Sequence, residues 1–238
     1  MRKVLVLSGD GINSERELGR GFSEHGADVT YQHVNELLKN PSALKNYQLL
    51  ALPGGFSFGD ELRSGKILAE KLRDTLSEAL TQFLKDDGRV IGICNGFQVL
   101  AQLGAFDLDS GERSFTLAEN NHGKFMDKWV RLTISSKART LSPWFREMEG
   151  SLYLPVRHKE GRIVGNTRNI KLPFAPLQYE KDINGSHERF AGVVNSTGQI
   201  FGLMPHPEVA TQGFLHPFRE GADDNARKVQ MIFKNGLK

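Results

Sequence analysis

The segment RVIGICNGFQVL, residues 89–100, constrains the fold more than any other part of the chain. Arg89–Ile93 is a short, largely apolar run of the kind buried on both faces of a parallel sheet. Phe97–Leu103 has helical character and stops at Gly104, a plausible C-cap. A strand that turns sharply into a helix is half of a βαβ unit, and the N-terminal half repeats that unit. Lys3–Leu7 reads as a buried strand, and Glu15–His25 as a helix closing at Gly26. Asp28–His33 and Gln48–Leu52 read as further strands, the second stopped by Pro53-Gly54-Gly55. Glu61–Lys85 carries Ile67, Leu68, Leu72, Leu76, Leu80, Phe83 and Leu84 near helical period and closes at Gly88. This rhythm predicts an α/β fold with a parallel, doubly wound sheet. The second half changes style. Trp129–Ser135, Ser151–Val156, Arg189–Asn195 and Gln199–Met204 are short and β-like, and read as an antiparallel or mixed extension of the same sheet. Asp223–Asn235 reads as a closing helix. No linker, repeat or low-complexity tract divides the chain, so residues 1–238 are expected to form a single domain.

Composition excludes several classes of function. A net charge of +3, with no Lys/Arg block, argues against nucleic-acid binding and against a polybasic membrane anchor. No stretch approaches the roughly 20 apolar residues of a membrane span. The N-terminal apolar run, Val4–Leu7, is too short for the core of a signal peptide. The chain has one cysteine, which leaves no intramolecular disulfide and no Cys-rich metal site. The expected compartment is the cytoplasm.

That cysteine, Cys94, is the middle residue of Gly92-Ile93-Cys94-Asn95-Gly96. The pattern is a Gly-x-nucleophile-x-Gly elbow between strand and helix. Its glycines have a steric reason: in so sharp a turn Gly92 and Gly96 would collide if they carried side chains. The elbow lifts the thiol out at the carboxyl end of the sheet, where open α/β sheets bind ligands, and the helix N-terminus favours thiolate. A thiolate nucleophile needs a proton shuttle and an oxyanion hole. Gly202-Leu203-Met204-Pro205-His206-Pro207-Glu208 supplies the shuttle: two prolines restrict His206, and Glu208 can orient one ring nitrogen while the other faces the thiol. There is no His-Glu-x-x-His and no third ligand in register, so a metal is not expected. The oxyanion hole is expected from the backbone N–H of Asn95 and one from Pro53-Gly54-Gly55-Phe56, where glycine lets a peptide approach the substrate closely.

GICNGFQVL (92–100) with GLMPHPE (202–208) resembles the class I, Cys-His-Glu glutamine amidotransferases. LPGGFSFGDELRSGKI (52–67) narrows the likeness to the glutaminase subunits of phosphoribosylformylglycinamidine synthases, which supply ammonia in purine synthesis. The likeness continues through Gly11, Asn13 and Glu17, HKEGR (158–162), NGS (184–186) and AGVVN (191–195), and so spans nearly the whole chain. It implies a flavodoxin-like sheet, open and mostly parallel, with helices on both faces. It implies that Cys94 attacks the side-chain amide of glutamine, that His206 protonates the leaving ammonia and that Glu208 holds His206. Gln98 matches a substrate-contacting position, and Gly55 the oxyanion glycine, with Gly54 the alternative. No cofactor is implied in this chain. ATP and Mg belong to the large synthetase partner, which in many organisms is joined by a small third subunit.

The sequence also departs from that family pattern. Val209 follows Glu208 in place of arginine, Arg157-His158-Lys159-Glu160 replaces Ala-His-Gly-Glu, Ser14 stands where cysteine is frequent, and AFDLDSGE (105–112) replaces a Leu-Leu-Pro-Gly segment. His158 and Glu160 read equally well as surface-loop charges. Gly19-Arg20-Gly21 imitates a dinucleotide fingerprint without its context, and no P-loop is present. Three other functions compete with this reading. A cysteine peptidase or deglycase usually takes its histidine from beside the cysteine, where this chain has Asn95. A non-catalytic subunit would not need Cys94, Gln98, His206 and Glu208 together. A glutaminase serving another synthetase is disfavoured by GFSFGDELRSG (55–65).

Overall fold

Eleven strands are present among the described residues of the computed structural model, which are 1–55, 66–108, 111–165 and 173–238; for residues 66–75 only the backbone is described. Most of the segment that narrows the family resemblance, residues 56–65, lies outside them, as do Asp109 and Ser110 of the departing segment.

Nine strands form one sheet. β1 (Lys3–Ser8), β2 (Asp28–His33), β3 (Leu49–Leu52), β4 (Arg89–Ile93) and the late strand β11 (Ile200–Leu203) lie in the order β2-β1-β3-β4-β11, all parallel. This is the flavodoxin-like order. β1, β3, β4 and β11 are almost entirely apolar and buried, as central strands covered on both faces should be. The antiparallel extension follows: β10 (Phe190–Val194), β9 (Phe174–Tyr179), β6 (Met126–Ile134) and β7 (Ser151–His158). Both features match the expectation from sequence.

Right-handed crossovers place the helices on both faces. α1 (Glu15–Ser23) follows β1, and α3 (Lys66–Lys85) follows β3; because the strand order runs opposite ways from β1 and from β3, the two helices cover opposite faces. α6 (Ala222–Gly236) packs on α1, where Phe22 meets Phe233 edge-on at 5.2 Å between ring centroids. α3 packs on α4 (Asn95–Leu103) and buries Leu76, Leu80 and Phe83, the spacing of one helical face. Arg89, buried at the start of β4, donates to the carbonyls of Asn235 (2.6 Å) and Gly236 (3.3 Å) and so ties the end of α6 to the sheet. Two short helices, α2 (Val34–Lys39) and α5 (Ala138–Leu141), complete the set.

Three strands were not legible in the sequence, each for a local reason. β5 (Phe115–Glu119) and β8 (Glu160–Gly165) form a separate antiparallel ribbon, and the two glycines of β8 hide its strand character. β9 contains Pro176, which argues against an interior strand. The structure accommodates it through register shifts: the β9 and β10 pairing steps from Leu177–Gly192 to Phe174–Val194, skipping the proline.

Candidate active site

Three neighbouring parallel strands deliver three chain segments to one edge of the sheet. β3 ends in Pro53-Gly54-Gly55, β4 in Cys94, and β11 leads to His206. Cys94 has φ 50° and ψ −105°, a conformation few residues with a side chain adopt. It is the elbow residue, held by its own N–H donating to the Leu203 carbonyl at 2.8 Å. α4 begins at the next residue, Asn95, two residues earlier than the sequence pattern indicated, so the thiol stands at the helix N-terminus.

The reason for the two glycines is partly as expected. A Cβ on Gly92 would lie 2.7 Å from the carbonyl oxygen of Gly96, so that glycine does make room for the other side of the turn. Gly96 is different. A Cβ there would drive into the Leu52 carbonyl at the end of β3, not into Gly92. The second glycine therefore sets how closely α4 approaches the neighbouring strand. Gly96→Ala is expected to destabilise the protein by about 3 kcal/mol or more, because the obstacle is backbone. Urea unfolding monitored by circular dichroism measures this, and a loss below about 1 kcal/mol would contradict the packing argument.

His206 is fixed at both ends. Its N–H donates to the Pro155 carbonyl of β7 at 2.9 Å, and its Nδ1 lies 2.6 Å from Oε1 of Glu208. Glu208 is 4 % exposed and His206 7 %, so this pair is screened little by solvent. Burial pulls the imidazole pKa down, but the Glu208 carboxylate and the Cys94 sulfur outweigh it, and the pKa stands well above 6.5. Nε2 is buried and, apart from its interaction with the Cys94 sulfur, has no hydrogen-bond partner among the described groups. The Cys94 thiol in turn donates to the Arg157 carbonyl at 3.7 Å. Gly54 closes the group: a Cβ on it would lie 3.0 Å from His206 Cε1 and 3.6 Å from Cys94 Cβ. A thiol, an imidazole held by a carboxylate and a glycine backbone thus converge in a largely buried site, the equipment for nucleophilic attack on a carbonyl with proton transfer to a leaving group.

The sequence model of the CobB/CobQ-like glutamine amidotransferase domain matches residues 1–238. The chain belongs to this family. It is 36% identical over 251 residues to phosphoribosylformylglycinamidine synthase subunit PurQ of Dehalococcoides mccartyi, covering 99% of this chain and 96% of that protein. Identity to the subunit of the same name from Methanococcus maripaludis is 34% over 258 residues, covering 99% and 93%. Among solved structures, a chain of PurLQS from Thermotoga maritima superposes with a TM-score of 0.77 at 31% identity, covering 100% of this chain and 98% of that one.

The remaining expected residues of the amidotransferase site fall as follows. The peptide joining Gly54 to Gly55 turns its carbonyl to the N–H of Asn13 at 3.4 Å, so the N–H of Gly55 points the opposite way. Gly55 itself, at φ 138°, packs against Gly11–Asn13 with no room for a side chain. Asn95 N–H lies in the first turn of α4, directly after Cys94. Phe56 lies outside the described residues. Gln98 is buried beside Cys94 as expected, but its side chain is already engaged: Nε2 donates to the Glu160 carbonyl at 2.6 Å and Oε1 accepts from Asn95 Nδ2 at 3.0 Å. It anchors the turn between β7 and β8 over the site. Among the described residues, no three His, Cys, Asp or Glu side chains converge as metal ligands would.

That turn overturns the surface-loop reading of His158. The ring is 3 % exposed, and neither nitrogen has a hydrogen-bond partner among the described residues. Burial, then the nearby His206 and His122, push its pKa down to about 3, so it stays neutral at ordinary pH. Tyr179, another buried group with no hydrogen-bond partner among the described residues, is held neutral by burial and then by the nearby Cys94 sulfur, which raise its pKa. Tyr179 carried no local sequence signal and His158 only its place in HKEGR, since both reach the site through the antiparallel extension.

The two imidazoles give stability a signed pH dependence. Both have a pKa near 6.5 in the unfolded chain. Stability linked to His158 is present above that value and is lost as pH falls toward about 3, because only the unfolded chain takes up the proton. Stability linked to His206 is complete below 6.5 and is lost as pH rises through its raised value. These two residues therefore favour a maximum near pH 6.5, with a slope of about 1.4 kcal/mol per pH unit from each. His158→Asn should flatten the acid side alone, which thermal unfolding between pH 4 and 8 would check.

Proposed function

We propose that the chain is the glutaminase subunit of a phosphoribosylformylglycinamidine synthase and works as one amidotransferase domain across residues 1–238. The observation that carries the chemistry is the His206–Glu208 pair at 2.6 Å, set against the elbow cysteine. Cys94 gives its thiol proton to His206 Nε2 as its sulfur bonds to the side-chain carbonyl carbon of glutamine; the carbonyl π bond opens, and the oxygen, now negative, turns toward the N–H groups of Gly55 and Asn95. The C–N bond then breaks as His206 gives its Nε2 proton to the nitrogen, and ammonia leaves. Water next attacks the γ-glutamyl thioester and yields its proton to His206. The C–S bond breaks, the sulfur takes its proton back from His206, and glutamate is released. Glu208 keeps His206 in place and stabilises its protonated form throughout.

The relatives carry the biological half of the reading, since they are named as synthase subunits and the Thermotoga maritima structure is of PurLQS. The ammonia passes to a synthetase partner that converts formylglycinamide ribonucleotide to formylglycinamidine ribonucleotide, with ATP and Mg held by that partner. A small third subunit completes the assembly in organisms that have one. The reaction is placed in the cytoplasm, where a reactive free thiol stays reduced. Among the described residues, no helix is long and apolar enough to cross a membrane.

The test is glutamate release from glutamine by the full chain, alone and with the synthetase, formylglycinamide ribonucleotide and ATP. Release that rises at least tenfold in the complete mixture supports the reading. Release indifferent to the mixture assigns the glutaminase to another synthetase, and no release in any mixture overturns the amidotransferase chemistry.

A further inference from the structure

Ser14-Glu15-Arg16-Glu17 has the sequence of a helix capping box, in which the serine hydroxyl accepts from the N–H three residues on. Ser14 does occupy the N-cap of α1, and its carbonyl accepts from Leu18 N–H at 3.0 Å. Its hydroxyl, however, makes no cap bond. Oγ is fully buried, and no described group hydrogen-bonds to it. A buried hydroxyl left unpaired destabilises a protein, and the normal partner was one turn away. The side chain is held in another direction.

That direction is the reactive group. The point 3.0 Å from His206 Cε1 and 3.6 Å from Cys94 Cβ, where a Cβ of Gly54 would stand, is also 3.2 Å from Ser14 Oγ. Cysteine, histidine and serine therefore surround one small space above Gly54. β1, β3, β4 and β11 bring them there, since Ser14 follows the carboxyl end of β1.

We propose that Ser14 is a substrate-contacting residue whose hydroxyl accepts a hydrogen bond from the glutamine side-chain nitrogen that leaves as ammonia. The proposal rests on the glutaminase reading above. His206 must reach the leaving nitrogen through Nε2, because Nδ1 is held by Glu208, and Cε1, which joins the two ring nitrogens, borders the same space that Ser14 Oγ borders. The amide oxygen is drawn to the N–H groups of Gly55 and Asn95 instead. An amide nitrogen has two hydrogens to donate and no basic lone pair, so it needs acceptors. The cysteine and the imidazolium offer it none once the reaction has begun, whereas a hydroxyl does. Such a contact holds the C–N bond in line for protonation and favours a carboxamide over a γ-carboxylate or ester.

The experiment compares the wild-type chain with Ser14→Ala and Ser14→Thr, each assembled with the synthetase, formylglycinamide ribonucleotide and ATP. Hydrolysis is followed on glutamine and on the γ-methyl ester of glutamate, whose leaving oxygen has no hydrogen to donate. Ser14→Ala is expected to lower kcat/KM for glutamine by about 10–100-fold and that for the ester by less than about threefold. Ser14→Thr should restore most of the loss. The rate of Cys94 alkylation by iodoacetamide should stay within about twofold of wild type in both variants. Equal losses on both substrates, no loss on either, or a fall in alkylation would each overturn the proposal. A wild-type chain that hydrolyses neither substrate would overturn the glutaminase reading instead.

Discussion

Cys94→Ala is expected to abolish glutamine-dependent synthesis, a loss of at least about 10⁵-fold, while leaving synthesis from added ammonium salts within about twofold of wild type. The asymmetry follows from where the residue stands. Cys94 forms the only covalent bond to glutamine in the proposed mechanism, and among the described side chains around it none offers a second thiol. His206, Glu208 and the elbow backbone would remain, but without a nucleophile they have nothing to assist. Synthesis from ammonia belongs to the partner and needs only that the glutaminase still dock. Cys94 is 7 % exposed, and alanine at that position keeps the φ of 50° no worse than cysteine does, so the fold should survive. Product formation measured with glutamine and with ammonium chloride decides it. Equal loss with both nitrogen sources would mean that the substitution had disrupted the complex, and retained glutamine use would remove Cys94 from the chemistry.

The second large effect is at Glu208. Burial alone lowers the pKa of His206, and the Glu208 carboxylate is the first of the groups that raise it again. Glu208→Gln keeps the shape and a hydrogen-bonding oxygen but removes the charge. The His206 pKa must then fall, and the imidazolium that protonates the leaving nitrogen is lost at a lower pH. The alkaline limb of the kcat/KM profile should move to lower pH, and kcat/KM at pH 7.5 should drop by about 10²–10⁴-fold. Stability should fall as well, because a raised histidine pKa stabilises the folded state at pH values below it. A pH–rate profile of the variant in the assembled complex is the measurement. An alkaline limb that stays in place would show that Glu208 positions the ring without governing its protonation.

Much of this site was legible before any tertiary contact was known, because its two critical relations are local. Cys94 lies within five residues whose glycines already specify a strand-to-helix turn, and the backbone there has the strained φ that the pattern implies. His206 and Glu208 are two residues apart between prolines, so their pairing needed no long-range information. The parallel half of the sheet was equally plain, since a strand covered on both faces has to be continuously apolar. Where local signals conflicted, the sequence misled. Pro176 hid β9.

What only the tertiary structure decided is everything carried by the antiparallel extension. β7 brings the Arg157 carbonyl to a thiol 63 residues away and buries His158 with no hydrogen-bond partner among the described residues, and Gln98 turns out to hold the Glu160 carbonyl. The convergence of Ser14, Gly54 and His206 likewise needs the fold, because it arises only where the parallel strands β1, β3 and β11 end at one edge. The sequence alone determined which residues could react, because that depends on residue type and on neighbours a few bonds away. The fold decided which of them are dry, charged and within reach of one another, because burial and electrostatic coupling depend on distance in space.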